Sequence, residues 1–270
     1  METSWTTPLT EGLSASPEER VFTLYHENSK LFPALAREMS EAFAVSPFEL
    51  YLASRGLKQY SDAPRVRLPA VGKRGNSLSQ ALRTRRSARE LDAPITLREL
   101  STVLVESFEP TAVVRSEVFE VDQALRPWPS AGGLYPLDIY VIARNVTGLE
   151  PGLYHHNSLT SELERLDARP PEDVLRDGFF WQEFLVEAAA VVILAAVFER
   201  TVAKYGERGY RLVLLDAGHA AQNALLTAEQ LGLPSVAVAG FNDDALAADL
   251  GLDGVDEAVV HTVALGGRRD

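Results

Sequence analysis

The apolar residues of this chain recur in two rhythms, and the alternation between them sets out its architecture. Leu31 to Phe43 carries apolar positions at helical spacing, after a stretch opened by Pro17-Glu18-Glu19-Arg20 that runs through His26. A helix near Ser77 takes in Leu78 and Leu82, and another from Thr96 sets Leu97, Leu100, Val103 and Leu104 on one face. The longest helix runs from Arg211 to Leu231, stopped by Gly232 and Pro234; a shorter one covers Asp243 to Leu250. The second rhythm is that of strands. Ala188 to Phe198 is a continuous run rich in Val, Ile and Ala and bounded by charge, as expected of a strand buried on both faces. Leu137 to Ala143, Val236 to Ala239 and Ala258 to Leu265 read as further strands. Leu153 to His155 and Leu163 to Leu166, separated by Asn157-Ser158, suggest a hairpin.

Helices and strands alternate without a strict βαβ order, so the expected class is α+β. Asp62-Ala63-Pro64 and Arg67-Leu68-Pro69 punctuate the chain. The division that follows is a helical N-terminal extension over residues 1–70 and a main domain over 71–270. No internal repeat or low-complexity tract is visible.

Composition narrows the function. At 270 residues the chain can bury a sizeable core. The formal net charge is −12 and no window gathers Lys and Arg into a stripe, which argues against a nucleic-acid partner. No apolar run approaches the roughly 20 residues of a membrane span. The first residues lack the basic start and apolar core of a signal peptide, so a cytoplasmic protein is expected. With no cysteine, disulfides, thiolate chemistry and Cys-ligated metals are excluded.

Several constellations carry chemistry. Lys204-Tyr205-Gly206 follows the buried strand, where a loop would hold two proton-transferring side chains in place. Arg85-Arg86-Ser87-Ala88-Arg89 offers guanidinium forks and a hydroxyl suited to phosphate. Gly266-Gly267-Arg268-Arg269 repeats that theme after the last strand, its glycines able to bring backbone N–H groups to an anion. These two segments, at opposite ends of the domain, could converge on one phosphate. Pro129-Ser130-Ala131-Gly132-Gly133 has the small residues that a flat ring needs for close approach, and Val238-Ala239-Gly240 ends a strand with a glycine amide. His155-His156 reads as a turn feature rather than a metal site, and no metal is expected. Asp216, His219, Gln222 and Asn223 form a polar stripe that reads as a satisfied hydrogen-bond network. There is no GxxxxGK[ST] loop, no GxGxxG after a strand and no GxSxG elbow.

Arg86-Ser87-Ala88-Arg89, Pro129 to Pro136, Lys204-Tyr205-Gly206, Arg208-Gly209-Tyr210-Arg211 and Asp216-Ala217-Gly218-His219 with Gln222-Asn223 occur in one order. In that order they resemble the nitroreductase-like flavoproteins, and more specifically the SagB-type azoline dehydrogenases. The resemblance covers roughly residues 20–268. It implies an FMN-dependent α+β fold, a central mostly antiparallel sheet flanked by helices, and an interlocked homodimer with flavin at the subunit interface. By the same resemblance Arg85, Arg86 and Ser87 hold the FMN phosphate, with Gly267 and Arg268 joining from the C-terminus. Arg89 approaches the pyrimidine edge, and Pro129, Ser130, Ala131 and Gly132 pack on the ring, from the partner subunit. Ala239 and Gly240 lie near N5. Lys204 and Tyr205 match the catalytic pair, one of them taking the α-proton of a peptide thiazoline or oxazoline while hydride passes to the flavin. A cyclodehydratase is the implied partner. Three alternatives remain: an NAD(P)H-dependent nitroreductase or quinone reductase, an oxidase forming dehydroamino acids, and a flavin-binding docking subunit.

Overall fold

The run Ala188–Phe198 supplies an interior strand, the fifth of seven, in the main sheet. The computed structural model describes residues 58–70, 77–116, 121–166, 169–180 and 182–269. In chain order its elements are β1 (Arg65–Arg67), α1 (Leu78–Thr84), β2 (Ile95–Thr96), α2 (Leu97–Phe108), β3 (Ala112–Ser116), β4 (Val121–Leu125), β5 (Leu137–Ala143), β6 (Val146–Thr147), β7 (Gly152–Asn157), β8 (Glu162–Arg165), α3 (Pro171–Gly178), α4 (Glu183–Val186), β9 (Ala190–Val197), α5 (Glu199–Tyr205), α6 (Arg208–Leu231), β10 (Ser235–Val238), α7 (Asp243–Leu250) and β11 (Glu257–Leu265).

The large sheet has the order β1-β8-β7-β5-β9-β11-β10, and every neighbouring pair is antiparallel. β9 needs no polar face because helices cover both sides of it. Val192, Leu194 and Ala196 point into one core layer with Val103 and Leu104 of α2 and Ala217, Ala220, Ala221 and Ala224 of α6. Val191, Ile193 and Ala195 point the other way, against Leu175 of α3, Leu185 of α4 and Leu246 and Leu250 of α7. The alanines on α6 let that helix lie close to the sheet. A capping box starts α2: the Glu99 amide donates to Thr96 Oγ1 at 3.2 Å, and the Thr96 amide donates to the Glu99 carboxylate at 2.8 Å.

Several expectations need correction. Most of the expected helical extension, residues 1–57, lies outside the described residues. Of its remainder, Arg65–Arg67 is a strand paired with β8, not helix; Pro64 and Pro69 on either side leave too short a stretch for a helix. The hairpin β7–β8 forms in the expected place, but His155 and His156 lie inside β7, buried, rather than at a turn. Their side chains point to opposite faces, as period two requires, and each finds a carboxylate: His155 Nδ1 meets Glu164 at 2.9 Å and His156 Nε2 meets Glu109 at 3.0 Å. Residues 199–205, expected as a loop, form helix α5.

Candidate active site

Helix α5 owes its position to a buried ion pair. Arg200, in its first turn, donates to both oxygens of Asp138 on β5 at 2.8 and 3.0 Å, with both side chains buried. One turn later come Lys204 and Tyr205, both half-buried, with Lys204 Nζ 5.4 Å from the Tyr205 ring centroid. Gly206 ends the helix, so the pair is fixed from both sides.

The Pro129–Gly133 turn arrives at the same place. Its ends are clamped by aromatic packing: the Trp128 ring lies edge-on to Phe108 and to Tyr135, at centroid distances of 6.2 and 5.5 Å. The Arg126 guanidinium lies over both the Trp128 and Tyr135 rings and donates to the Phe108 carbonyl and to Ser158. Burial pulls Arg126 down to about 10, yet it remains a cation at neutral pH. Within the turn, the Tyr135 amide donates to Ser130 Oγ at 2.9 Å and the Gly133 amide to the Ser130 carbonyl at 3.0 Å. Gly132 sits at φ +63°, and a β-carbon there would stand 2.9 Å from both Lys204 Nζ and Tyr205 Oη. The turn thus brings bare backbone against the lysine amine and the tyrosine hydroxyl, an approach that a glycine allows.

Asp216 of α6 closes this cluster from beneath. It is 4 % exposed, and its Oδ2 is buried without a partner. The Trp128 indole N–H faces the same carboxyl without forming a hydrogen bond of good geometry. Burial pushes the Asp216 carboxyl above the usual carboxylate range, against the nearby Ser130, Ala131 and Trp128 donors that favour its charged form. Burial, and then the Asp216 charge, push the Tyr205 hydroxyl above the usual tyrosine range. The stripe read from sequence as a satisfied network is therefore not one: Asp216 Oδ2 and Asn223 Nδ2 are buried without partners, and His219 and Gln222 are exposed.

A second group gathers at the other end of α6. The Ala88 amide donates to the Ser235 carbonyl at 3.0 Å, and the Gly266 amide to that of the preceding Pro234, also at 3.0 Å. These bonds bring the two basic segments together, as their sequence suggested. Arg85 is half-buried, and Arg86, Ser87, Arg89 and Arg268 are exposed, beside a cavity of about 410 Å³ lined by Ala88, Arg89, Glu90, Pro234 and Arg269. Arg86 Nη1 donates to the carbonyls of Arg83 and Arg85, and Arg268 reaches Glu99 at 3.5 Å. Gly267 has another role than expected. Its amide donates to the Ala93 carbonyl at 2.7 Å, and a β-carbon would collide with Pro94, so it packs the tail rather than offering its N–H to an anion. From this group Arg89 leads away over the Phe184 ring at 5.8 Å, and in the same short segment Gln182 Nε2 donates to the Gly240 carbonyl at 2.9 Å. Ala239 and Gly240 are exposed beyond the end of β10.

The predicted site residues thus fall into two groups, not one. Asp216 marks one and Gly232, beside the Arg268 side chain, marks the other. At about 1.5 Å per residue these two positions on α6 lie roughly 24 Å apart along the axis. The sequence pattern puts Asp216 in the polar stripe rather than in the site; an acid among the alanines of a buried helix face was the available signal.

Comparison with known proteins adds to this picture. A family model described as the nitroreductase family matches residues 82–267. The nitroreductase-like protein MJ1384 of Methanocaldococcus jannaschii is 36% identical over 184 residues, which cover 68% of this chain and 87% of that protein. The microcin B17-processing protein McbC of Escherichia coli is 28% identical over 164 residues, 59% of this chain and 57% of McbC. A nitroreductase-like crystal structure from Anabaena variabilis superposes with a TM-score of 0.68 at 27% identity, over 89% of this chain and 45% of that one. The chain therefore spans little more than half of McbC and less than half of the Anabaena protein.

Proposed function

Because the chain belongs to the nitroreductase family, we propose that it is an FMN-dependent oxidase converting peptide thiazolines and oxazolines into thiazoles and oxazoles. Its likeness to McbC sets it with the SagB-type members and supports a modified peptide as substrate. The observation that carries the reading is the convergence of Lys204 Nζ and Tyr205 Oη on Gly132, where an added β-carbon would stand 2.9 Å from each. A family member that only passed electrons from a nicotinamide would have no use for such a pair.

FMN is the cofactor, and the residues present fit it. Arg85, Arg86 and Arg268 supply guanidinium forks and Ser87 a hydroxyl, a donor set made for a phosphate monoester. Arg89 would meet the pyrimidine edge, where a cation favours the reduced state. Ala239 and Gly240 would approach N5, and Pro129, Ser130, Ala131 and Gly132 would face the ring. Bound FMN supplies the acceptor for the hydride that leaves the β-carbon of the azoline. The remaining step belongs to the protein. Burial, and then the Asp216 charge, hold the Tyr205 hydroxyl above the usual tyrosine range. One of the pair, Lys204 or Tyr205, takes the α-proton, and ring aromatisation follows.

The roughly 24 Å between the two groups along α6 supports a homodimer in which the turn and the Lys204-Tyr205 pair of one copy complete the arginine group of the other. Tyr210, Leu214 and Leu215 on α6 and Leu78 and Leu82 on α1 are exposed apolar residues that such an interface would cover. A cyclodehydratase would then deliver the substrate.

The 36% identity to MJ1384 favours a second reading, a reductase drawing electrons from NAD(P)H. The test is to incubate the purified, FMN-loaded protein with a thiazoline peptide and follow the loss of two hydrogens by mass spectrometry. Azole formation that vanishes in Lys204→Ala/Tyr205→Phe, with FMN still bound, supports the reading. Wild-type rates in that variant would remove the assignment, and no azole from the wild type would leave the reductase.

A further inference from the structure

Two consecutive glycines form the part of the turn that meets the Lys204-Tyr205 pair. Gly132 and Gly133 both lie in the left-handed region, at φ +63° and +65°, so the chain passes here as bare backbone. Each glycine faces a different neighbour. A β-carbon on Gly132 would crowd Lys204 Nζ and Tyr205 Oη, whereas one on Gly133 would collide with the side-chain amide of Gln123. Gln123 is half-buried and lies on β4, in the hairpin β3–β4 that forms a two-stranded sheet of its own. Its Nε2 donates to the Gly133 carbonyl at 2.6 Å. A carbonyl can only accept, so the end of Gln123 that meets the turn is its NH2 group.

We propose that Gln123 is a positioning residue for the reaction: by holding the Gly133 carbonyl it sets where the Gly132 backbone stands against Lys204 and Tyr205. The turn's own hydrogen bonds do not supply this. The Gly133 amide donates to the Ser130 carbonyl at 3.0 Å, the Leu134 amide to the Ala131 carbonyl at 3.3 Å, and the Tyr135 amide to Ser130 Oγ at 2.9 Å. All three join turn residues to one another, so they fix the shape of the turn and leave its location open. Two glycines offer no side chain for packing to grip, and the location of this stretch must come from groups outside it. Arg126, three residues after Gln123, grips the aromatic residues at the two ends of the turn, Trp128 and Tyr135. Gln123 grips the glycine middle, next to the atoms that face the pair. The consequence for turnover rests on the function proposed above, but the hold of Gln123 on the turn does not.

The experiment compares the FMN-loaded full chain with two variants, Gln123→Met and Gln123→Glu. Methionine keeps the length and loses the donor; glutamate keeps the shape and turns an acceptor on the Gly133 carbonyl. Amide hydrogen exchange reads the turn without substrate. The amides of Gly133, Leu134 and Tyr135 are expected to exchange roughly 10-fold faster in Gln123→Met and faster again in Gln123→Glu, while those of Val191–Ala195 in β9 stay protected, which shows that the fold is intact. On a thiazoline peptide, kcat is expected to fall by roughly 10-fold or more in the same order, with KM and FMN affinity little changed, the signature of lost alignment rather than lost binding. A role in packing alone predicts the opposite order, because glutamate is the closer match in shape. Unchanged turn exchange in both variants, or wild-type kcat in both, overturns the proposal. Should the variants fail to fold, the wild type still decides: Gln123 side-chain amide protons that exchange as fast as those of free glutamine overturn it equally. Faster turn exchange in a protein whose wild type makes no azole would keep the hold on the turn and remove the azoline reading instead.

Discussion

Gly132→Ala tests the geometry of the site with a single methyl group. Gly132 sits in the left-handed region at φ +63°, so alanine there is disfavoured by about 1–2 kcal/mol from the backbone alone. The new methyl would stand 2.9 Å from both Lys204 Nζ and Tyr205 Oη. Ordinary contact begins at about 3.5–4.0 Å, so the two groups must each retreat by about 0.5–1 Å. A misplacement of that size costs up to about 100-fold in a reaction that depends on alignment, so a fall in kcat of roughly 10- to 100-fold is expected. Gly251 provides the control. It caps α7 in the same left-handed conformation at φ +68°, with nothing within 4 Å of a β-carbon. Gly251→Ala should therefore lose the same 1–2 kcal/mol or so, seen as a Tm lower by roughly 2–8 °C, at wild-type kcat. Thermal unfolding by circular dichroism and azole formation by mass spectrometry, both with saturating FMN, give the two quantities. If Gly132→Ala matched Gly251→Ala in kcat, the contact between turn and pair would have no catalytic meaning.

Three further outcomes are expected. Arg200→Met leaves the Asp138 carboxylate buried without its partner, a loss of about 3–5 kcal/mol in urea denaturation that Asp138→Leu in the same chain should largely restore; a single variant of wild-type stability would contradict this. Arg86→Ala removes a charge-assisted contact worth about 1.5–3 kcal/mol, so FMN fluorescence titration should show roughly 10- to 100-fold weaker binding; unchanged affinity would take Arg86 out of the phosphate site. Burial holds His155, His156 and His261 below the ordinary histidine range of about 6.5. Their folded values are depressed, so the unfolded chain binds more protons as pH falls. Stability is then fully present above about 6.5 and is lost below it, by up to about 1.4 kcal/mol per pH unit for each histidine. A Tm that stayed level from about pH 7.5 to about pH 5.5 would refute that sign.

The sequence made some of this legible and hid the rest for physical reasons. β9 was readable because a strand covered on both faces must be apolar throughout, and the last turns of α6 because Gly232 and Pro234 stop a helix visibly. α5 was not, because Glu199–Tyr205 is too short for a helical period to show, and its stability comes from the distant Asp138. The hairpin β3–β4 also escaped: Val113 and Val114 are both exposed, so no inside-outside alternation marks it. Both arginine segments were visible as charge, but that they meet beside Pro234-Ser235 is a fact of the tertiary fold. What one sequence conceals is cost. Asp216 looked like a member of a satisfied network, and only its burial and its unpartnered oxygen reveal otherwise.

The most direct measurement is the flavin absorbance of the purified, FMN-loaded protein without oxygen, mixed in turn with a thiazoline peptide and with NADH or NADPH. The account predicts that the yellow band bleaches with the peptide, leaving a thiazole, and holds with either nucleotide. Prompt bleaching by a nucleotide, with the peptide inert, would contradict it and make the protein a nicotinamide-driven reductase.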